Sequence, residues 1–416
     1  MTGLSQLAPT ANSRKSAITD TSTVVVFLDQ RYHRTPDRQV WTDGPFPYTF
    51  FERYLQVFDR VRVVARVRDA LSPSEYWNAA GGPGVDFAPV PYYIGMTQYL
   101  AQCRAVRRAA ISAIGPTDTV LLRVPGQVAT SVEGWLRRRN RPYGVEVVGD
   151  PYDAYAPGTT THALRPLFRH WFRHRMRKQV AGAAAAAYVT RDVLQQRFPA
   201  PADAPITHYS SVELSADAFV ESARTFDPRT GPLRIITVGS LENLYKGPDT
   251  LIDALAQSVA NGLDAELRFV GGGKRVASLK QHAHRAGLDN RVHFLGQLPA
   301  GVRIREELDR ADLFVLPSRA EGLPRALIEA MARALPAIGS DIGGIPELLH
   351  PDQLVPAGDV AALAGKLMEL ANQPDRLAAM SAQNLRKARD YSEDILCERR
   401  DQFYERLRSL TARSHS

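Results

Sequence analysis

The chain has 416 residues, too many for one ordinary domain and enough for two separate cores. Hydrophobic residues make up 44% and charged residues 23%, a balance that excludes a disordered chain. The net charge of +8 favours anionic partners, namely phosphorylated small molecules, lipid headgroups or nucleic acid. In chain order, residues 1–21 are polar, lack the apolar run of a signal peptide, and read as a flexible tail. Residues 23–28 (TVVVFL) form a short β-branched run, as expected of a parallel strand buried on both faces. Residues 61–67, 119–122, 144–148 and, more weakly, 186–190 repeat that signal. Helical patterns lie between them, at 50–58 and 98–113.

A Pro/Gly/Thr-rich stretch at 227–232 precedes a second set of strands, at 233–238, 265–270, 292–295, 313–316 and 336–338. Each is followed by a helical pattern. Alternating short strands and helices predict doubly wound parallel sheets. The expected organisation is a Rossmann-like domain over 22–205, a linker over 206–231, a second Rossmann-like domain over 232–390, and a charged helix over 391–411 crossing back to the first. A cleft between the domains would hold ligand at the strands' carboxyl ends.

Two cysteines, Cys103 and Cys397, sit in opposite halves without metal spacing, which fits a reducing cytoplasm. No apolar run approaches the length of a membrane helix. Residues 164–178 (LRPLFRHWFRHRMRK) place Leu164, Phe168, Trp171, Phe172 and Met176 on one helical face. Arg165, Arg169, Arg173 and Arg177 recur on a neighbouring face. Such a helix either packs its apolar face into a core or lies on an anionic membrane surface. His170 and His174 are four apart but lack a third ligand, so they read as solvated. No Asp-x-Asp pair is present, and no metal is expected. A nucleic-acid partner lacks any companion motif.

The most informative segment is PSRAEGLPRALIEAM, residues 317–331. A strand ends at Leu316, a loop carries Glu321, and a helix starts near Arg325 with Glu329 inside it. The unbonded N–H groups at a helix start favour a diphosphate. The two carboxylates could then accept hydrogen bonds from sugar and ribose hydroxyls, or simply cap and solvate the helix.

Together, Glu321-x7-Glu329 and GSDIGGIPE at 339–347 resemble the signature of glycosyltransferase family 4. VGSL at 238–241 with Lys246-Gly247, VGGG at 270–273, VHFLG at 292–296 and LVPAGD at 354–359 extend that likeness through the C-terminal half. The resemblance implies a GT-B fold and retaining transfer from a nucleotide sugar, with UDP the first candidate base and GDP the second. It implies that Glu321 touches donor hydroxyls and that Gly322, Leu323, Pro324 and Arg325 line the sugar. Glu329 would bind the ribose, and Lys246 would face the diphosphate. Gly272 and Phe294 would lie beside the nucleotide. At the donor site, where the family usually has an arginine, this chain has Ser240, which leaves Lys246 with more of the task or calls on an arginine from elsewhere, with Arg325 and Arg319 nearby in sequence.

The N-terminal half is less defined. Val148 stands about where many family members carry a histidine. Asp150 is the nearest polar alternative, as a catalytic group or as a turn residue before Pro151. Arg123 is a further cleft candidate. Gly44, in the loop expected over 29–48, would approach the phosphate, and Tyr32, Trp41 and Tyr48 there could stack on a sugar. The expected acceptor is a hydroxyl group in cell-surface polysaccharide, glycolipid or small-metabolite glycoside biosynthesis. The expected location is cytoplasmic, on or near the inner face of the membrane. A sugar-nucleotide epimerase of the same fold, or a non-catalytic nucleotide-sugar or lipid-binding relative, would share these features.

Overall fold

The computed structural model describes residues 21–44, 46–154 and 165–414. The N-terminal half contributes β1 (Thr23–Arg34), β2 (Val40–Thr42), α1 (Tyr48–Leu55), β3 (Arg60–Asp69), β4 (Asn78–Ala79), β5 (Val85–Val90), α2 (Gly95–Ser112), β6 (Thr119–Val124) and α3 (Gln127–Arg138). It continues through β7 (Gly144–Val147), α4 (Pro151–Ala154), α5 (Arg165–Ala181), β8 (Ala185–Tyr188), α6 (Val193–Arg197) and β9 (Ile206–His208). The parallel strands run in the order β5-β3-β1-β6-β7-β8-β9, with β2 and β4 added antiparallel beyond the end of β1. β1 and β6 are fully buried in their paired stretch, apolar except for Thr119, because helices cover both faces of the sheet.

The C-terminal half contributes β10 (Leu233–Val238), α7 (Pro248–Ala260), β11 (Ala265–Val270), α8 (Val276–Arg285), β12 (Val292–Phe294), α9 (Val302–Arg310), β13 (Leu313–Leu316) and α10 (Arg325–Ala332). After these come β14 (Ala337–Ser340), β15 (Leu354–Val355), α11 (Val360–Ala371), α12 (Pro374–Ala388) and α13 (Glu393–Arg413). Its six strands are all parallel, in the order β12-β11-β10-β13-β14-β15. Numbered within the domain this is 3-2-1-4-5-6, the doubly wound order whose direction reverses between β10 and β13.

Sequence and structure part company at three places. The loop expected over 29–48 is largely strand, since β1 runs on to Arg34 and β2 pairs back onto it. The residues Ile206–His208, expected in the linker, form the edge strand β9 beside β8. The short or interrupted strands β2, β4 and β5 lack the continuous apolar run that marks a buried parallel strand, so the pattern passes over them.

The C-terminal helix does cross back. Phe403, Tyr404 and Leu407 of α13 are buried against the N-terminal domain, where the Tyr404 ring lies 4.9 Å from that of Tyr54.

Candidate functional site

The chain leaves β10 and β13 in opposite directions, and the groups expected to bind the donor meet at this divergence. Lys246 sits in a short turn after β10, and its aliphatic stem lies across Gly239. Glu321 sits in the loop after β13. Lys246 Nζ donates to Glu321 Oε1 at 2.7 Å, and Ser318 Oγ donates to the same oxygen at 3.0 Å. Gly247 makes this turn possible: it is left-handed (φ 67°), and a Cβ there would collide with the Pro317 carbonyl oxygen. Burial disfavours the Lys246 ammonium, but the adjacent Glu321 carboxylate outweighs that and holds its pKa above the ordinary lysine value.

Helix α10 begins at Arg325, as its sequence predicts, with Pro324 at its N-cap. Its first-turn N–H groups therefore have no intrahelical acceptors and point toward the loop. Glu329, one turn in, is largely buried. Burial pushes its carboxyl above the usual range, Arg325 pulls it back, and Glu213 adds to the push.

These groups line one cavity of about 920 Å³ between the domains. Among its walls are Ser240, Lys246, Glu321, Leu323, Pro324, Arg325 and Glu329 from the C-terminal domain, with Val148 and Val189 from the N-terminal one. The two arginines nearby in sequence differ in their partners. Arg319 is held bidentately by Asp249, at 2.7 and 2.9 Å, and donates to Thr250 as well. Arg325 is exposed to the cavity and has no ion-pair partner among the described residues.

Gly322 does not line the cavity. It packs against the N-terminal domain so closely that a Cβ would collide with the Val148 carbonyl oxygen. The turn that supports it also bridges the domains. Gly344 N–H donates to Gly322 O at 2.7 Å. Three residues on, the Glu347 carboxylate accepts from the N–H groups of Arg191, Asp192 and Val193 at 2.5, 3.0 and 2.7 Å, where α6 begins.

The structure places four sequence-based candidates outside the cavity lining. Asp150 does not face the cavity: its side chain is 1% exposed, accepts from Tyr152 N–H at 2.7 Å, and pairs with Arg197 at 2.9 Å. Arg123 is buried beneath the cleft, paired with Glu146 and lying over the Phe46 and Phe50 rings. Phe294, partly buried, stacks on Phe269 with centroids 4.9 Å apart and is not a wall of the cavity. Gly44 is turned against Gln30, with its N–H bonded to Thr42 Oγ1 at 2.9 Å, and is not a wall of the cavity.

Gly272 stands in the turn after β11, with Gln297 the nearest side chain, outside the cavity lining. Of the three aromatic candidates, Tyr32 is fully buried, Trp41 donates to Thr35 Oγ1 at 3.0 Å, and Tyr48 donates to Pro83 O at 2.9 Å. The motifs also passed over Glu213, Tyr245 and Arg305, which line the cavity. Glu213 comes from the segment joining the domains and pairs with Arg53 at 2.6 Å. Nothing in its local sequence marks it.

Helix α5 divides along its length. Met176 and Val180 are buried, whereas Leu167 is 63% and Trp171 43% exposed. His170 and His174 are exposed. No helix among the described residues is long and apolar enough to cross a membrane. Residues 155–164, which include Leu164, lie outside the described residues.

Two doubly wound domains, a site at the strand ends between them and a helix returning from the second to the first define the GT-B glycosyltransferase fold. Residues 221–387 match the family model described as glycosyl transferases group 1, so the C-terminal half of the chain resembles that group. It is 26% identical over 332 residues to Protein CapJ of Staphylococcus aureus, covering 79% of this chain and 80% of that one. It is 33% identical over 186 residues to the amylovoran biosynthesis glycosyltransferase AmsK of Erwinia amylovora, which spans 42% of this chain and 45% of AmsK. Among solved structures, sucrose-phosphate synthase from Thermosynechococcus elongatus superposes with a TM-score of 0.67 at 17% identity, covering 94% of this chain and 100% of that one.

Proposed function

We propose that this chain moves a hexosyl or N-acetylhexosaminyl group from a nucleotide sugar, UDP-linked in the first instance, to an acceptor hydroxyl with retention of anomeric configuration. The observation that carries this is the Lys246–Glu321 pair, set beside Arg325, Glu329 and the start of α10 in one interdomain cavity. A donor entering that cavity exchanges one pair for two better matched contacts. Its diphosphate takes Lys246, Arg325 and the α10 N–H groups, and its sugar hydroxyls take Glu321. Glu329 then accepts from the ribose.

In the transfer, the bond between the anomeric carbon and the diphosphate oxygen breaks while the acceptor oxygen bonds to the same face of that carbon. The acceptor's proton passes to the departing diphosphate. Lys246 and Arg325 act where negative charge accumulates, which is where fixed cations lower the barrier most. No group of three or more His, Cys, Asp or Glu side chains is gathered for a metal among the described residues. The two cations supply the charge a metal would otherwise bring.

The product feeds polysaccharide, glycolipid or small glycoside assembly, in keeping with the amylovoran biosynthesis in the name of AmsK. Leu167 and Trp171, exposed among the arginines of α5, suit an anionic membrane surface on the cytoplasmic side.

The test is a thermal-shift screen against UDP-, GDP- and ADP-sugars, since a ligand bound only by the folded state raises its melting point. Product analysis follows with the best donor and simple sugar acceptors. An α-linked product from an α-linked donor supports the proposal. An altered sugar nucleotide formed without any acceptor would make the chain an epimerase instead. Binding without hydrolysis or transfer would make it a non-catalytic relative.

A further inference from the structure

Glu213 lines the donor cavity but takes none of the contacts proposed for the donor. It belongs to the extended segment joining the domains. Val212 and Leu214 on either side of it are buried in the core, whereas Glu213 is exposed. Alternation along an extended chain thus turns its side chain away from the core and toward the cavity. The carboxylate is held in place. Its Oε1 accepts from Arg53 Nη2 at 2.6 Å, and that arginine side chain is 7% exposed and lies over the Phe50 ring, 4.1 Å from its centroid. This pairing uses one oxygen. Glu213 Oε2 accepts no hydrogen bond among the described residues, and the side chain is 59% exposed.

Glu329 is placed alike on α10. Its carboxylate lines the same cavity and accepts no hydrogen bond from a described residue. The Glu213 charge reaches it and, after burial, is what pushes its carboxyl upward. Two carboxylates with unused oxygens therefore share one space. Like charges so placed repel, and a ligand that donates one hydrogen bond to each relieves both. Two neighbouring hydroxyls on one ring do this.

The adjoining wall is apolar. Leu214 and Ala218 of the joining segment contribute to it, with Ile304 and Leu308 of α9. Such side chains suit the faces of a flat ring. A nucleoside carries both features, a flat base and a pair of neighbouring ribose hydroxyls.

We propose that Glu213 is a second ribose-binding residue, taking one of the two ribose hydroxyls while Glu329 takes the other. The proposal rests on the donor reading above. Through Arg53 on α1, it also gives the N-terminal domain a hold on the nucleotide.

Calorimetric titration of the full chain with UDP and GDP, and with the 2′-deoxy and 3′-deoxy forms of each, tests it. With whichever base binds, each deoxy form should bind about tenfold or more weakly than the ribonucleotide, because each lacks one hydrogen bond to a charged acceptor. Glu329→Ala should abolish the penalty for one deoxy form, and Glu213→Ala the penalty for the other. Glu213→Ala leaves Arg53 unpaired in the interior, so the double variant Arg53→Met with Glu213→Ala is measured beside it and should lose the same penalty. A merely structural Glu213 would weaken all the ligands alike and keep both penalties, which would overturn the proposal. Glu393→Ala removes a third carboxylate from the cavity wall and should keep both penalties. The same loss in that variant would show a general effect of charge and would overturn the assignment. So would nucleotide binding that vanishes in EDTA and returns with magnesium, because the two carboxylates would then be holding a cation. Absence of binding by either ribonucleotide would overturn the donor reading and this proposal with it. Intact ribonucleotide binding with both penalties kept in Glu213→Ala would overturn this proposal alone.

Discussion

The Glu146 carboxylate, in the middle of β7, accepts a 2.9 Å hydrogen bond from the hydroxyl of Tyr404 on the C-terminal helix. The same oxygen accepts from Tyr209 at 2.8 Å, and the other pairs with Arg123. Glu146 thus joins the N-terminal sheet, the segment between the domains and the returning helix at one buried point. Burial, with the Glu146 charge adding to it, pushes the Tyr404 hydroxyl well above its ordinary pKa, so it stays a donor across the whole working range.

Breaking this point should cost stability. Glu146→Leu leaves Arg123 charged and unpaired in the interior, which costs about 3–5 kcal/mol when one partner of a buried pair is removed. The double variant Arg123→Met with Glu146→Leu should recover most of that loss. Tyr404→Phe removes one neutral hydroxyl and should cost about 1 kcal/mol. Urea unfolding measures all three. A Glu146→Leu loss below that of Tyr404→Phe would show that the pair does not anchor the helix.

Glu321→Ala should lower turnover at least about 100-fold, as loss of a group acting at the transition state does, with a small effect on melting. Steady-state kinetics with the identified donor decide it, and near-normal turnover would remove Glu321 from the mechanism. The partner's ionisation gives a pH prediction. The folded pKa of Lys246 is raised above its unfolded value of 10.5. Its stabilising contribution is therefore complete below pH 10.5 and disappears only as pH climbs through the folded value. A basic limb in the turnover profile between pH 7 and 9 should then survive Lys246→Arg unchanged in position.

Glu329 predicts a trade of stability for binding. Its folded pKa is raised by burial, so the native state takes up its proton more readily than the unfolded chain does. That contribution is present below the unfolded pKa and is lost as pH rises through the folded one, leaving a destabilising charge at neutrality. Glu329→Gln should accordingly raise the melting temperature at pH 7.5 and weaken nucleotide binding about tenfold. Thermal shift with and without the nucleotide reads both. A lower melting temperature in the variant would contradict the assignment.

Glu347 holds the domains together at the start of α6, and its turn backs the donor loop through Gly344 and Gly322. Glu347→Ala should open the cleft, seen as a larger radius of gyration in solution scattering. Turnover should fall about tenfold or more while nucleotide affinity stays nearly constant, because productive geometry depends on closure. A variant with normal scattering and lowered nucleotide affinity would place Glu347 in binding rather than in closure.

On the proposed roles of Lys246 and Arg325, both in the cavity wall, transfer should persist in excess EDTA. Complete and magnesium-reversible loss of activity would show a metal requirement.

Much of the C-terminal half was readable in the residues themselves. The β-branched strands, the Glu321-x7-Glu329 spacing and the glycines near Lys246 are local features, and local backbone chemistry forces the turns and helix starts that carry them. Where the reading failed, the cause was contact between distant segments. Asp150 and Arg123 look like cleft residues because each follows or ends a strand, yet Arg197 and Glu146 claim them. A polar side chain faces ligand only when no nearer partner has satisfied it, and partners 23 to 258 residues away leave no trace in local pattern. The sequence alone therefore determined two doubly wound domains, the loop that carries Glu321 and the helix that carries Glu329. Only the tertiary structure decided which nearby arginine faces the cavity unpaired, where the N-terminal sheet reverses, and how Glu146 and Glu347 tie the domains, because each depends on the distance between groups that the chain brings together only by folding.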